Sequence, residues 1–136
     1  MNILKWLTSE KYRFFYTKFR NVQKSMWELD FKIAKARGLR EGIRQDRDRA
    51  IEASGNIDNR LKSGETLDAD TSAQLLKQKD DLLDSVKRYE AQMKMIDNQI
   101  NGVPAEGENP GENGHMDTLG SLAELRVMYK DYLNQI

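Results

Sequence analysis

Residues 22–43 read VQKSMWELDFKIAKARGLREGI, and within them Val22, Met26, Leu29, Ile33, Ala36, Arg40 and Ile43 recur at steps of four and three. That alternation returns to one side of a helix about every 3.5 residues, the period of a supercoiled seam and not of a strand. Traced outward, the stripe begins at Tyr12, passes Phe15 and Phe19, and runs on through Arg47, Ala50, Ser54 and Ile57 to Leu61. A second stripe with the same alternation joins Ser72, Leu75, Lys79, Leu82, Val86, Tyr89, Met93, Ile96, Ile100 and Val103.

The segment SGETLDADTSAQ separates the two stripes. Ser63-Gly64 suits a left-handed helix ending, and Thr66, Asp68, Asp70 and Thr71 are all able to cap the next helix, with Thr71 and Gln74 at capping-box spacing. The sequence therefore predicts an all-α fold: a long antiparallel coiled-coil helical hairpin over 22–103, with its turn near 63–70. It is preceded by an aromatic and basic N-terminal arm (1–21) that continues into the first helix. Short connections make neighbouring helices antiparallel, which pairs Ile57 with Leu75, Ala50 with Leu82, Ile43 with Tyr89, Ala36 with Ile96, and Leu29 with Val103.

Beyond Val103 the pattern stops. Residues 104–118, PAEGENPGENGHMDT, hold both prolines of the chain and read as a flexible acidic Gly/Pro linker. A short amphipathic helix over 119–136 is predicted to follow, with Leu119, Leu122, Leu125, Tyr129, Tyr132, Leu133 and Ile136 on one broad face.

Composition agrees with thin helical packing. Of 136 residues, 38% are hydrophobic and 32% charged, which favours long amphipathic helices over a thick core. Without cysteine there are neither disulfides nor thiolate metal sites. No apolar run reaches the roughly 18 residues of a membrane span, and MNILKWL, with Lys5 inside it, is too short and interrupted for a secretory signal. The expectation is a soluble protein, inside a cell or within a virus particle.

A net charge of zero conceals a division. Residues 1–49 carry thirteen Lys and Arg against six Asp and Glu, whereas residues 50–136 carry nine against sixteen. Three cations interrupt the apolar stripes: Arg40, Arg47 and Lys79. Their long stems lie along a seam while the charge reaches its edge, and Asp84, Glu90 and Asp97 stand near them in the predicted register.

Nothing in the sequence assembles catalysis. His115, the sole histidine, has no nucleophile near it in sequence and reads as a solvated linker residue. DADTS at 68–72 opens like a calcium loop but places Ala73 where glycine is needed and Lys79 where glutamate is needed. Gly38 and Gly42 form a GxxxG spacing, which in a charged context only weakens a helix. No catalytic residue, cofactor or metal ligand is expected, and the chain reads as a non-enzyme.

The arm is the candidate functional element. Residues 11–20, KYRFFYTKFR, thread five aromatics between four cations, and residues 1–31 hold eight of the chain's eleven aromatic residues. Tyr12, Phe15 and Phe19 fall on the stripe, where the C-terminal helix is predicted to cover them. Phe14, Tyr16, Trp27 and Phe31 fall off it and, with Lys11, Arg13, Lys18 and Arg20, are predicted to bind a partner. The expected role is a structural brace or adaptor docked onto other protein chains of a larger assembly, such as a phage scaffold or virion component, with self-association possible in principle. Helical hairpins of this size also serve as export or assembly chaperones, and the basic aromatic arm has the composition of a nucleic-acid binder. Trp6, Leu7, Phe14 and Phe15 beside Lys5, Lys11, Arg13 and Lys18 would alternatively form an interfacial membrane helix.

Overall fold

The computed structural model describes residues 1–64, 66–102 and 114–136. These form four helices: α1 (Ile3–Thr8), α2 (Glu10–Lys62), α3 (Ala69–Asn101) and α4 (His115–Gln135). The chain is all-helical, and it contains the predicted hairpin. The long second helix runs for 53 residues without a break, as a sequence free of proline up to residue 103 permits.

The hairpin turn follows the local chemistry. The α2 helix ends at Lys62, the Ser63 hydroxyl donates to the Arg60 carbonyl at 2.9 Å, and Gly64 takes a left-handed φ of +76°. Only glycine adopts that conformation without a Cβ penalty. The cap of α3 is Asp68, whose Oδ1 accepts from the Thr71 N–H at 2.6 Å. Of the four candidate caps, the one directly preceding the helix is used. Glu65 lies outside the described residues.

The helices assort into two compact units. The hairpin unit is Ala36–Asp97, and the arm unit joins Met1–Lys35 with Asn98–Ile136. In the hairpin unit Ala50, Ser54, Leu75, Val86, Met93 and Ile96 are buried, while Ile43, Ile57, Leu82 and Tyr89 are half-buried. Every stripe position of α2 from Tyr12 to Leu61, and every described one of α3, is at least partly withdrawn from solvent. Yet no large side chain among the described residues is fully enclosed, which is what a seam only two helices wide provides.

Two ion pairs fix how α2 lies on α3. Arg40 meets Asp97 at 2.6 Å, and Lys79 meets Asp58 at 2.6 Å. From 40 to 58 on one helix and from 79 to 97 on the other is eighteen residues in each case, so the antiparallel register is constant between them. In each pair the cation occupies a stripe position, and the aspartate directly follows a stripe residue of the other helix, Ile57 or Ile96. Of the three acids expected near the seam cations, Asp97 takes that role for Arg40, whereas Lys79 is met by Asp58, which the sequence reading did not name. Arg47 instead bonds the neighbouring Asp48 at 3.1 Å.

The arm unit departs from expectation at two boundaries. The helical path breaks at Ser9, separating the short α1 from α2, a break the sequence reading did not mark; from Glu10 onward the arm belongs to α2. Asn2 caps α1 by accepting from the Lys5 N–H at 3.2 Å, and the Ser9 hydroxyl accepts from the Tyr12 N–H at 3.1 Å at the start of α2. The C-terminal helix begins at His115 and not at 119, so residues 115–118 belong to α4 and His115 is a half-buried first-turn residue. Gly114 explains the start. Its backbone lies against Gly102 at the end of α3, so close that a Cβ would meet the Asn101 carbonyl carbon and the Ile100 carbonyl oxygen at 2.6 Å. The remaining linker residues, 104–113, and Val103 with its predicted pairing to Leu29 lie outside the described residues.

Candidate functional site: the aromatic arm

The aromatics of the arm divide into an inner and an outer set. On the inner side Tyr12 is buried, its ring stacked on Tyr16 at 6.0 Å, while Trp6 of α1 meets Tyr16 edge-on at 5.4 Å. The Tyr12 hydroxyl accepts from the Asn2 N–H at 3.0 Å, tying the chain before α1 to α2. Phe15 lies 5.0 Å from Tyr132 and 6.3 Å from Tyr129, ring centre to ring centre, so α4 covers the stripe there. Arg126 of α4 sits over the Phe19 ring at 5.9 Å. Tyr16, grouped by sequence with the outward-facing aromatics, is half-buried within this inner cluster.

On the outer side Trp27 is 73% exposed, Phe31 66% and Phe14 56%. Stripe geometry gives the reason. At about 100° per residue, Trp27 directly follows the stripe residue Met26 and Phe14 directly precedes Phe15, so they flank the stripe on opposite sides. Phe31 lies toward the back of the helix. Trp27 and Phe31, four residues apart, share one face; Phe14 stands apart from them beneath the Lys18 ammonium, 5.5 Å from its ring centre. Beside Trp27 a shallow cleft of about 210 Å³ is walled by Gln23, Met26, Asp30 and Arg126.

The arm's cations are largely engaged by the chain itself. Arg13 donates to the carbonyls of Trp6 at 2.8 Å and Leu7 at 3.3 Å, closing the end of α1, and Arg20 donates to the Tyr16 hydroxyl at 3.4 Å. With Lys18 on Phe14, three of the four basic residues of the stretch 11–20 serve internal contacts. Lys11 is exposed.

In the hairpin unit the charges organise locally. A hydrogen bond from Lys79, aided by its charge, holds the Asp58 carboxyl below the ordinary aspartate value. Hydrogen bonds from the Thr71 hydroxyl and N–H do the same for the cap Asp68. Arg44 bonds Glu41 and Asp48 on its own helix, lowering Glu41 and raising the guanidinium. Among the described residues no group of three or more acidic, histidine or cysteine side chains is placed to hold a metal ion, and no helix is long and apolar enough to cross a membrane.

Comparison with protein families, with characterised proteins and with solved structures finds no match to this chain. What fold and site define is an all-α helical hairpin whose arm covers one aromatic set and leaves another in solvent.

Proposed function

We propose that the protein is a non-enzymatic brace or adaptor, docked onto another protein chain of a larger assembly through the outer face of its arm. The observation that carries this reading is the pair Trp27 and Phe31, two large aromatic side chains one turn apart and each about two-thirds or more exposed. Isolated exposed leucines are ordinary, but adjacent exposed aromatics resemble the anchors that supply most of the affinity in protein interfaces. The cleft beside Trp27, with Asp30 and Arg126 at its edge, offers a complementary recess for a partner side chain. The hairpin unit, whose 27 residues of α2 (36–62) rise about 40 Å, acts as the spacer. A multi-subunit particle, such as a virion or its scaffold, is the kind of host that such a spacer serves.

The internal use of Arg13, Lys18 and Arg20 weighs against the arm as a nucleic-acid platform, because those cations already have partners. Its stacked rings, Tyr12 and Tyr16, are likewise turned into the fold. The test is the double substitution Trp27→Ala with Phe31→Ala in the cell that makes the protein. Incorporation into the native assembly should fall by an order of magnitude or more, since truncating such anchors costs about 2 kcal/mol or more each, with helicity by circular dichroism unchanged. Normal incorporation of a folded double variant would refute the reading.

A further inference from the structure

Beneath α1, on the inner side of the arm unit, lies a cleft of about 360 Å³, within the size range of small-ligand sites. Its walls combine Lys5 of α1 and Lys130 of α4 with Tyr12, Tyr16, Phe19 and Leu133. Neither lysine ammonium lies within ion-pairing distance of a carboxylate among the described residues, and no carboxylate lines the cleft. Both tyrosine hydroxyls already accept an N–H, Tyr12 from Asn2 and Tyr16 from Arg20. What each retains is its O–H donor. Two lysines and two tyrosines that retain their O–H donors thus line one space together with Phe19 and Leu133.

We infer that this cleft binds an anionic amphiphile, with a phosphate or carboxylate head on Lys5 and Lys130 and an apolar chain on Tyr12, Tyr16, Phe19 and Leu133. A bare inorganic anion would satisfy the donors and leave the rings unused, and a neutral apolar molecule would leave two ammonium groups without a counter-charge. The head group and chain together meet both halves of the wall. The same chemistry is offered by a free single-chain amphiphile and by a phospholipid in a bilayer. The inference is independent of the docking face, which lies on the outer side of α2.

Calorimetric titration of the full chain with decyl phosphate below its micelle concentration should show one site, at least tenfold tighter than inorganic phosphate or decyltrimethylammonium. The variant Lys5→Met with Lys130→Met keeps both stems and should lose at least tenfold in affinity while its circular dichroism is unchanged. In flotation, vesicles containing phosphatidic acid should carry the wild type but not this variant if the bilayer is the source; calorimetric binding without flotation assigns the site to a free amphiphile. Equal affinity for the cationic amphiphile, binding of phosphate as tight as decyl phosphate, or binding by the folded double variant as tight as by the wild type would each overturn the inference. Absence of binding in both the calorimetric and the vesicle arms would overturn it as well. Should the double variant unfold, the comparison of the three ligands on the wild-type protein decides alone.

Discussion

Arg40 of α2 grips Asp97 of α3 with two prongs, Nε to Oδ1 at 2.6 Å and Nη2 to Oδ2 at 3.2 Å, from a stripe position that would otherwise hold an apolar residue. Both side chains remain more than a third exposed, at 35% and 41%. Water therefore competes with the pair, and its contribution lies in the range of surface bridges, about 0.2–1 kcal/mol. Its geometry makes it a register marker more than a source of stability.

A double-mutant cycle on Arg40→Ala and Asp97→Ala should give a coupling of about 0.2–1 kcal/mol in urea unfolding. Arg40→Leu should be neutral or stabilising, because it completes the apolar stripe. A coupling above about 3 kcal/mol would place the pair in a dry interior, which its exposure contradicts.

The register itself is open to chemistry, since the chain has no cysteine of its own. Cysteines replacing Ile43 and Tyr89 should oxidise to a disulfide far more readily than cysteines replacing Ile43 and Leu82, one heptad away. A disulfide needs Cα atoms within about 7 Å, and one heptad is about 10 Å of helix. Preferential crosslinking of the displaced pair would contradict the antiparallel pairing.

Gly114→Ala should destabilise the arm unit by about 2 kcal/mol or more, although alanine is the better helix former. The added methyl meets the backbone of residues 100–102, which cannot rotate aside. Hydrogen exchange at Phe15 and Phe19 should accelerate as α4 loosens. An alanine variant with wild-type protection would remove Gly114 from the account of where α4 begins.

Acid should weaken the hairpin through Asp58 and Asp68. Both carboxyls are held below the ordinary value of 3.8 in the folded chain, so their stabilisation is complete above that value and is lost as pH falls through the lower folded values. The unfolding temperature should be level near neutrality and decline below about pH 4. In Asp58→Asn with Asp68→Asn the decline should be shallower, because asparagine still caps α3 but does not titrate. An identical acid profile in this variant would show that other carboxylates govern it.

The seam was legible because its signal is repetitive: Ile43, Ala50 and Ile57 repeat on one helix as Leu75, Leu82 and Tyr89 repeat on the other, and a single misreading does not disturb such a pattern. The turn was legible for a different reason, since Gly64 and Asp68 act on their own backbone. The break at Ser9 was missed because no proline or glycine marks it. Its available signal was a pair of caps, Asn2 and Ser9, seven residues apart. The start of α4 at His115 depends on Gly114 meeting Gly102 through space, which no local pattern encodes. Among the arm residues, position relative to the stripe separated Trp27 and Phe31 from Phe15 and Phe19. It did not place Tyr16, because the Trp6 ring that covers it arrives on the separate helix α1.

The most direct test of docking is a photo-crosslinking amino acid introduced at Phe31 on the outer face of the arm, and separately at the exposed Asp84 of the hairpin, in the cell that produces the protein. Irradiation should join position 31 to one defined protein chain in high yield and leave position 84 free. Equal yields at the two positions, or no product at position 31 in a folded and assembled protein, would contradict the account.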